Sequence, residues 1–172
     1  MSKQGMSVHI GLNSVDPQHY EGWDGRLAAC VNDAVAMNAI ARAQGIRSLL
    51  ILDRDAERDA VMFALADAAR VLQAGDYFLL TYSGHGGQIP DRNGDEADGQ
   101  DETWCLYDGQ LLDDELYRLW SGFAAGVRIL VLSDSCHSGS VTRERTPPPP
   151  PPGTRAKLMP EAVGQRVYAA NQ

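Results

Sequence analysis

Two short turns carry the residues of this sequence that could act as a nucleophile and a base. SDSCHSG, at 133–139, contains Cys136, and SGHGG, at 83–87, contains His85, 51 residues upstream. A cysteine attacks as the thiolate, and an imidazole within reach can take the thiol proton. Together the turns predict a Cys–His dyad in which His85, rather than the adjacent His137, is the base.

Three other roles of Cys136 compete with this one on the residues alone. Free cysteine is often a buried packing residue, although such a residue does not need serines, an acid and a histidine around it. A phosphatase-type thiolate needs an arginine six positions later, where this sequence has Thr142, with Arg143 one residue late. A metal site would need ligands beyond Cys136 and His137, and the sequence shows no further Cys/His cluster.

Apolar segments predict the elements that must position these turns. Strands are expected at 7–12, 47–52, 76–82 and 127–132, and a further short element at 102–108. Helices are expected over 27–44, from Asp55 to Gly75, and from an N-cap at Asp113. This alternation predicts an α/β fold, with a mostly parallel sheet and helices on both faces. The carboxyl ends of parallel strands share one edge of the sheet, so the turns after the third and fourth strands should meet there.

The fourth predicted strand, VRILVL at 127–132, differs from an alternating strand. Its residues are apolar without a polar face. Continuous apolar runs are typical of strands covered on both sides. We therefore expect this strand to be buried on both faces.

Composition limits the class of protein. A chain of 172 residues with 44% hydrophobic residues fits one domain. No apolar run approaches the roughly 20 residues of a membrane span, and the first residues lack the long apolar segment of a secretory signal. We expect a cytoplasmic protein without a membrane partner. Three cysteines without a CxxC predict neither a disulfide framework nor a structural zinc site.

Acidic charge is concentrated in one segment. Between Asp91 and Glu115 there are ten acidic residues and one basic residue, a net charge of −9, whereas the whole chain carries −8, which leaves +1 for the rest. Because the acidity is one local feature, it is only a weak argument against nucleic-acid binding, and we expect no nucleic-acid partner. The local acidity indicates a loop with a role of its own.

Three motifs carry a resemblance to a known family: YSGHGG at 82–87, DSCHSG at 134–139 and ACVNDA at 29–34. They resemble the metacaspases and their bacterial relatives, the orthocaspases, among the caspase-like cysteine peptidases. The resemblance covers about 8–141. Caspases proper have Q-A-C-x-G at the nucleophile, whereas this chain has D-S-C-H-S-G. The resemblance implies the large-subunit domain of a caspase-like three-layer sandwich and a cysteine endopeptidase that needs no cofactor for its chemistry.

The same resemblance implies roles for individual residues. Cys136 would be the nucleophile, and His85 the general base and acid. The backbone N–H groups of Gly86 and Cys136 would hold the oxyanion that forms on attack. Preorganised donors of this kind usually make a large contribution to catalysis.

The family's substrate preference implies an acidic pocket. Metacaspases cleave after Arg or Lys, and the matching acids here are Asp33 and Asp134, with Ser83 and Cys30 at the same pocket. Two carboxylates partly shielded from water attract a guanidinium or ammonium group. They would repel the aspartate that caspases prefer. The predicted substrates are therefore proteins or peptides with Arg or Lys before the scissile bond.

The acidic loop PDRNGDEADGQDET has two interpretations, a solvated loop and a Ca²⁺ site. Candidate calcium ligands are Asp91, Asp95, Glu96, Asp98 and Asp101. An EF-hand is excluded, because its sixth position should be glycine and is Glu96. Many metacaspases need Ca²⁺ and some bacterial relatives do not, so the resemblance leaves both interpretations open.

The end of the chain departs from the family. We divide the sequence into a catalytic domain at 1–141, a Pro-rich linker at 142–164 with six consecutive prolines at 147–152, and a final segment at 165–172. QRVYAA at 165–170 predicts the start of a further strand. The rest of the family's small-subunit region does not follow in this sequence. This leaves three interpretations open: a fragment, a processed large subunit, or a chain that takes a small-subunit fragment as a partner.

Basic residues in the linker suggest self-processing. An enzyme that cuts after Arg or Lys could cleave its own chain at Arg143, Arg145, Arg155 or Lys157. An alternative function from another class is a non-catalytic caspase-like module for assembly or calcium-linked regulation. Loss of the dyad would indicate that alternative, and here both dyad residues are present.

Overall fold

A computed structural model describes residues 3–90, 99–136 and 156–170. Its strands are β1 (Gly5–Gly11), β2 (Arg47–Leu52), β3 (Tyr77–Ser83), β4 (Gly86–Pro90), β5 (Gln100–Cys105), β6 (Gln110–Leu112) and β7 (Arg128–Asp134). Its helices are α1 (Cys30–Ala43), α2 (Arg58–Val71), α3 (Asp113–Ser121) and α4 (Glu161–Ala170). A short 3₁₀ turn, Asp53–Asp55, precedes α2.

Four parallel strands form the main sheet in the order β2-β1-β3-β7. The α/β prediction is confirmed, and the four predicted strands are these four. A second, antiparallel sheet has the order β4-β5-β6 and follows the His85 turn. The short element predicted at 102–108 corresponds to β5, whereas β4 and β6 were not predicted.

One face of the main sheet forms the core. Val8, Ile10, Phe78 and Leu80 point to this face and are 2% exposed or less. They pack against the apolar faces of α2 and α3. Because side chains alternate across a strand, Ser7 and His9 point to the opposite face.

Helix α1 covers that opposite face over β1 and β2. A Cβ on Gly11, the last residue of β1, would lie 2.4 Å from the carbonyl oxygen of Cys30 and 2.7 Å from Cβ of Ala34. Only glycine permits this approach. The close contact holds the first turn of α1 against the strand ends, and that turn carries Asp33.

The prediction that the fourth strand is buried on both faces is wrong for the part of the chain that the structure describes. In β7, Leu130 is 57% exposed and Leu132 is 46% exposed. Ile129 and Val131, on the other face, pack against the core. Since α1 lies over β1 and β2, no described element covers the outer face of β7. An apolar run shows that both faces of a strand are suited to burial. It does not show whether another element of the same chain packs on each face.

The predicted strand at 165–170 is also wrong, because these residues lie in α4. The helix begins at Glu161, after Pro160, and Gln165 donates a hydrogen bond back to the Glu161 carboxylate at 3.0 Å. Val163 and Val167, four residues apart, are both buried on one side of the helix. A window that starts at Gln165 misses Val163 and therefore misses the helical spacing.

Three predicted helix starts shift by a few residues. Helix α1 begins at Cys30 rather than Leu27. The N-cap of α2 is Glu57 rather than Asp55, and the N-cap of α3 is Leu112 rather than Asp113. The Leu112 N–H donates to the Glu115 carboxylate at 3.0 Å, which satisfies the helix end from within its first turn. Among the described residues, no helix is both long enough and apolar enough to cross a membrane.

Candidate active site

The two predicted turns meet at one edge of the main sheet. Strands β3 and β7 are adjacent and in register to their last residues, where Ser83 pairs with Asp134. The N–H of Gly84 lies 3.4 Å from the Asp134 carbonyl oxygen. His85 follows one strand end and Cys136 the other. The parallel register therefore brings the predicted base and nucleophile to the same edge.

His85 is buried and held in one orientation. Its Nε2 lies 2.8 Å from the carbonyl oxygen of Gly25, which can only accept, so Nε2 carries the proton. Nδ1 is buried and has no hydrogen-bond partner among the described residues. This tautomer leaves the lone pair on Nδ1, the arrangement that a general base requires.

Two residues that sequence reasoning missed shape the surroundings of His85. The indole of Trp23 packs on the imidazole with ring centroids 4.7 Å apart. Gly25 has φ +55°, and a Cβ there would lie 3.1 Å from the His85 ring. Burial lowers the pKa of His85, partly offset by the Gly25 carbonyl. The segment WDG at 23–25 signalled a turn, but nothing in its sequence linked that turn to His85.

Cys136 is exposed and is the last described residue before the gap. Its backbone N–H donates to the carbonyl oxygen of Lys157 at 3.1 Å. The Gly86 N–H donates to the same oxygen at 2.9 Å. Two amides thus converge on one carbonyl, and they are the two predicted as oxyanion donors.

The side chain of Lys157 lies in the predicted acidic pocket. Its Nζ donates to Ser83 Oγ at 2.8 Å and to Asp33 Oδ2 at 3.4 Å, and it also contacts Asp134 Oδ2 closely. The Lys157 side chain is only 19% exposed. Burial alone would lower the pKa of Lys157, but the hydrogen bond that it donates to Asp134 and the nearby charges raise the pKa overall, so the ammonium stays charged.

The remaining predicted pocket residues line the same space. Ser83 Oγ lies 2.9 Å from Asp33 Oδ2 and 3.4 Å from Asp134 Oδ2, and so bridges the two carboxylates. Cys30 is fully buried at the start of α1. Burial raises the pKa of its thiol, partly offset by the Ser83 hydroxyl and the Lys157 charge. All four residues predicted for the pocket therefore surround one ammonium group.

The segment after Lys157 continues along β4. Leu158 forms a parallel bridge with Gly86, and the Met159 N–H donates to the Gly86 carbonyl at 2.8 Å. Helix α4 follows and packs its valines into a small apolar cluster with Val15 and Tyr20. Gly86 therefore bonds this segment on both sides of the Lys157–Leu158 peptide bond.

Most of the predicted calcium and processing residues lie outside the described residues: Asp91, Asp95, Glu96, Asp98, Arg143, Arg145 and Arg155. Asp101 is described and is 2% exposed on β5. Within 3–90, 99–136 and 156–170, no group of three His, Cys, Asp or Glu side chains is arranged to hold a metal ion. The Ca²⁺ site stays a prediction.

Fold and site together define a caspase-like arrangement, with a cysteine and a histidine at one edge of a parallel α/β sheet. Comparisons with known proteins identify the family. A model of the metacaspase, peptidase C14 domain matches residues 7–144, and the chain belongs to this family.

Individual relatives agree with this membership. The chain is 34% identical to metacaspase-1 of Emericella nidulans and 36% identical to metacaspase-1 of Mycosarcoma maydis, over 146 residues in each case. These matches cover 76% of this chain and 35% of each relative. The chain thus spans about a third of the length of these relatives.

A solved structure matches more of the chain. The crystal structure of a protein from Geobacter sulfurreducens is 48% identical and superposes with a TM-score of 0.84. The match covers 98% of this chain and 62% of that one. It extends past residue 144, where the family model ends.

Proposed function

We propose that this chain is a cysteine endopeptidase that cleaves after Lys or Arg through Cys136 and His85, and that its own Lys157–Leu158 bond is a substrate. One observation carries the proposal. The Lys157 carbonyl accepts from the Gly86 and Cys136 N–H groups, while the Lys157 ammonium lies between Asp33 and Asp134. The chain holds its own lysine as a peptidase holds the residue before the scissile bond.

The proposed reaction begins with proton transfer from the Cys136 thiol to His85 Nδ1. The thiolate attacks the carbonyl carbon of the residue before the scissile bond. The oxyanion that forms accepts hydrogen bonds from the Gly86 and Cys136 N–H groups. Protonated His85 gives its proton to the leaving amine, which breaks the peptide bond and leaves a thioester on Cys136. Water, losing a proton to His85, attacks the thioester and releases the acid and the thiol.

Charge in the pocket supports the preference for basic residues. The carboxylates of Asp33 and Asp134 both contact the Lys157 ammonium. An aspartate in this position would place a third negative charge beside Asp33 and Asp134. An arginine could instead bind in a bidentate manner.

The intact mass of the purified chain tests the proposal directly. We expect the wild-type chain to yield a fragment that ends at Lys157, and the Cys136→Ala chain to stay intact. Lys157→Arg should still be cut and Lys157→Glu should not. A wild-type chain that stays intact and turns over no peptide would instead favour the non-catalytic module.

Fluorogenic peptides that end in Arg, Lys or Asp separate the specificity from the activity. We expect turnover of the Arg and Lys peptides only, and the same assays with and without Ca²⁺ test the calcium prediction. Turnover of the Asp peptide would keep the peptidase and overturn the pocket. Adding a small-subunit fragment from a longer relative tests the predicted partner.

A further inference from the structure

Met159 is the second residue after the Lys157–Leu158 bond, and the fold holds it as firmly as it holds Lys157. Met159 is 3% exposed, and its N–H donates to the Gly86 carbonyl at 2.8 Å. Leu158 between them pairs with Gly86 as a parallel strand. The backbone on the leaving-group side of the bond is therefore in register with β4.

The Met159 side chain fills a small apolar cluster. It packs in one cluster with Val15, Tyr20 and Cys105, which come from the enzyme side, and with Val163 and Val167 of α4, the helix that follows it. Its Cε lies over Gly87, where a Cβ would stand only 2.8 Å away. Glycine at 87 thus provides the floor on which a long, flexible side chain lies.

The walls of this cluster carry no charge. The Tyr20 hydroxyl donates to the Leu106 carbonyl at 2.7 Å, so the polar end of this ring is satisfied away from Met159. Burial raises the pKa of Tyr20 and of Cys105 far above the ordinary values, so both stay neutral. A charged side chain here would lose its water without gaining a partner, and it would therefore bind poorly.

We propose that Val15, Tyr20 and Cys105, over the floor of Gly87, form a subsite for an apolar side chain at the second residue after the scissile bond. This inference rests on the proposed function. The acidic pocket selects a basic residue before the scissile bond. The subsite would select, in addition, an apolar side chain at the second residue after that bond. In this chain Met159 occupies the subsite.

Internally quenched peptides test the subsite on the full chain. The series contains Lys-Leu-Met, Lys-Leu-Leu, Lys-Leu-Ala and Lys-Leu-Asp in one common frame. The chain's own segment competes equally with every peptide, so ratios of kcat/KM are unaffected by it. We expect Met and Leu to exceed Ala by about tenfold, as a pocket for a few methylene groups allows, and Asp to fall below Ala.

Two outcomes of this series have different meanings. Rates within twofold for all four peptides, with Lys still required before the cut, would overturn the subsite and leave the peptidase intact. A chain that cuts no peptide and does not cut itself would overturn both proposals.

Self-cleavage gives a second measurement within the chain. We expect Met159→Leu to keep the wild-type rate, Met159→Ala to slow cleavage after Lys157 by about tenfold, and Met159→Asp to slow it further. Met62→Ala, a matched loss at the margin of the main core, should leave the rate unchanged. Wild-type cleavage by Met159→Ala, or equal slowing by Met62→Ala, would contradict the subsite.

Gly87→Ala probes the enzyme side. Its methyl group would collide with a long side chain lying over residue 87. The preference for Met over Ala among the peptides should therefore shrink in this variant. Gly122→Ala, at the C-cap of α3, provides the control for a glycine replacement and should keep the wild-type preference. An unchanged preference in Gly87→Ala would contradict the assigned floor.

Discussion

The two strand ends that meet at the site are built very differently. At the end of β3, His85 is 6% exposed, and its carbonyl oxygen accepts from the Tyr82 hydroxyl at 2.7 Å and from the Cys105 N–H at 2.9 Å. Gly25 and Trp23 hold the imidazole itself. Backbone and ring are thus each held by more than one group, which is how a general base is preorganised.

The end of β7 lacks such support within the described residues. Cys136 is exposed, and so are Leu130 and Leu132 in the strand that leads to it. The base, one amide donor and most of the pocket therefore belong to the covered part of the fold. The nucleophile follows a strand with one open apolar face. Four predictions test how far this contrast holds.

The largest effect is expected at the buried side. His85→Ala removes the general base, and self-cleavage after Lys157 should slow by about 10²–10⁴-fold. The measurement is the rate at which the intact chain disappears. His19→Ala, at an exposed histidine, should cleave at the wild-type rate. If His85→Ala cleaves within tenfold of wild type, another group is the base.

The next effect is expected in the pocket, where one acid comes from each side. Losing a hydrogen bond to a charged group costs about 1.5–3 kcal/mol, so Asp33→Asn and Asp134→Asn should each lower kcat/KM for Lys peptides by roughly tenfold or more. Asp134 makes the closer contact with the Lys157 ammonium and contributes more than Asp33 to raising the pKa of Lys157, so its charge should matter more.

A surface acid provides the control for the pocket variants. Asp67 pairs with Arg70 on α2, and Asp67→Asn should leave kcat/KM unchanged. Equal and small effects of all three variants would show that the pocket charges do not select the substrate.

A smaller effect concerns pH. Burial lowers the pKa of His85 below 6.5, so the imidazole stays neutral until the pH falls through that lower value. Activity on Lys peptides should therefore be lost only on the acid side of 6.5. Trp23→Ala admits water to the ring, so the acid limb of kcat/KM should move to higher pH, towards 6.5.

The control for this pH shift is Trp120→Ala, which removes an indole from α3. Its acid limb should stay at the wild-type position. A limb that does not move in Trp23→Ala, or that moves equally in both variants, would show that Trp23 does not set the environment of His85.

The smallest effect is expected on the open face of β7. Leu80→Ala, in the core, should lower the free energy of unfolding by about 2–5 kcal/mol, whereas Leu132→Ala should change it by about 0.5 kcal/mol or less. Urea unfolding in the Cys136→Ala background measures both without self-cleavage. A large loss from Leu132→Ala would show that this face is covered in solution, and the contrast between the strand ends would fail.

Much of the fold was predictable from local pattern. The four parallel strands and three helices follow from apolar runs, helical spacing and glycines at helix ends. These are local signals, each contained within a few residues of sequence. The failures have a common cause. Exposure of β7 depends on which strands α1 reaches, and the helix at 161–170 depends on Val163 as well as the residues after Gln165. Neither is visible inside a short window.

The site, like the fold, was predictable only in part. By itself the sequence determined which reactive groups are present: a thiol, an imidazole and two acids, in motifs specific enough to indicate the metacaspase family. Only the tertiary structure decided what those groups meet. It put the Gly25 carbonyl and the Trp23 ring on His85, and it put Lys157 into the acidic pocket. Such contacts join residues 60 and 124 positions apart, as with His85 to Gly25 and Lys157 to Asp33, and only folding sets that proximity.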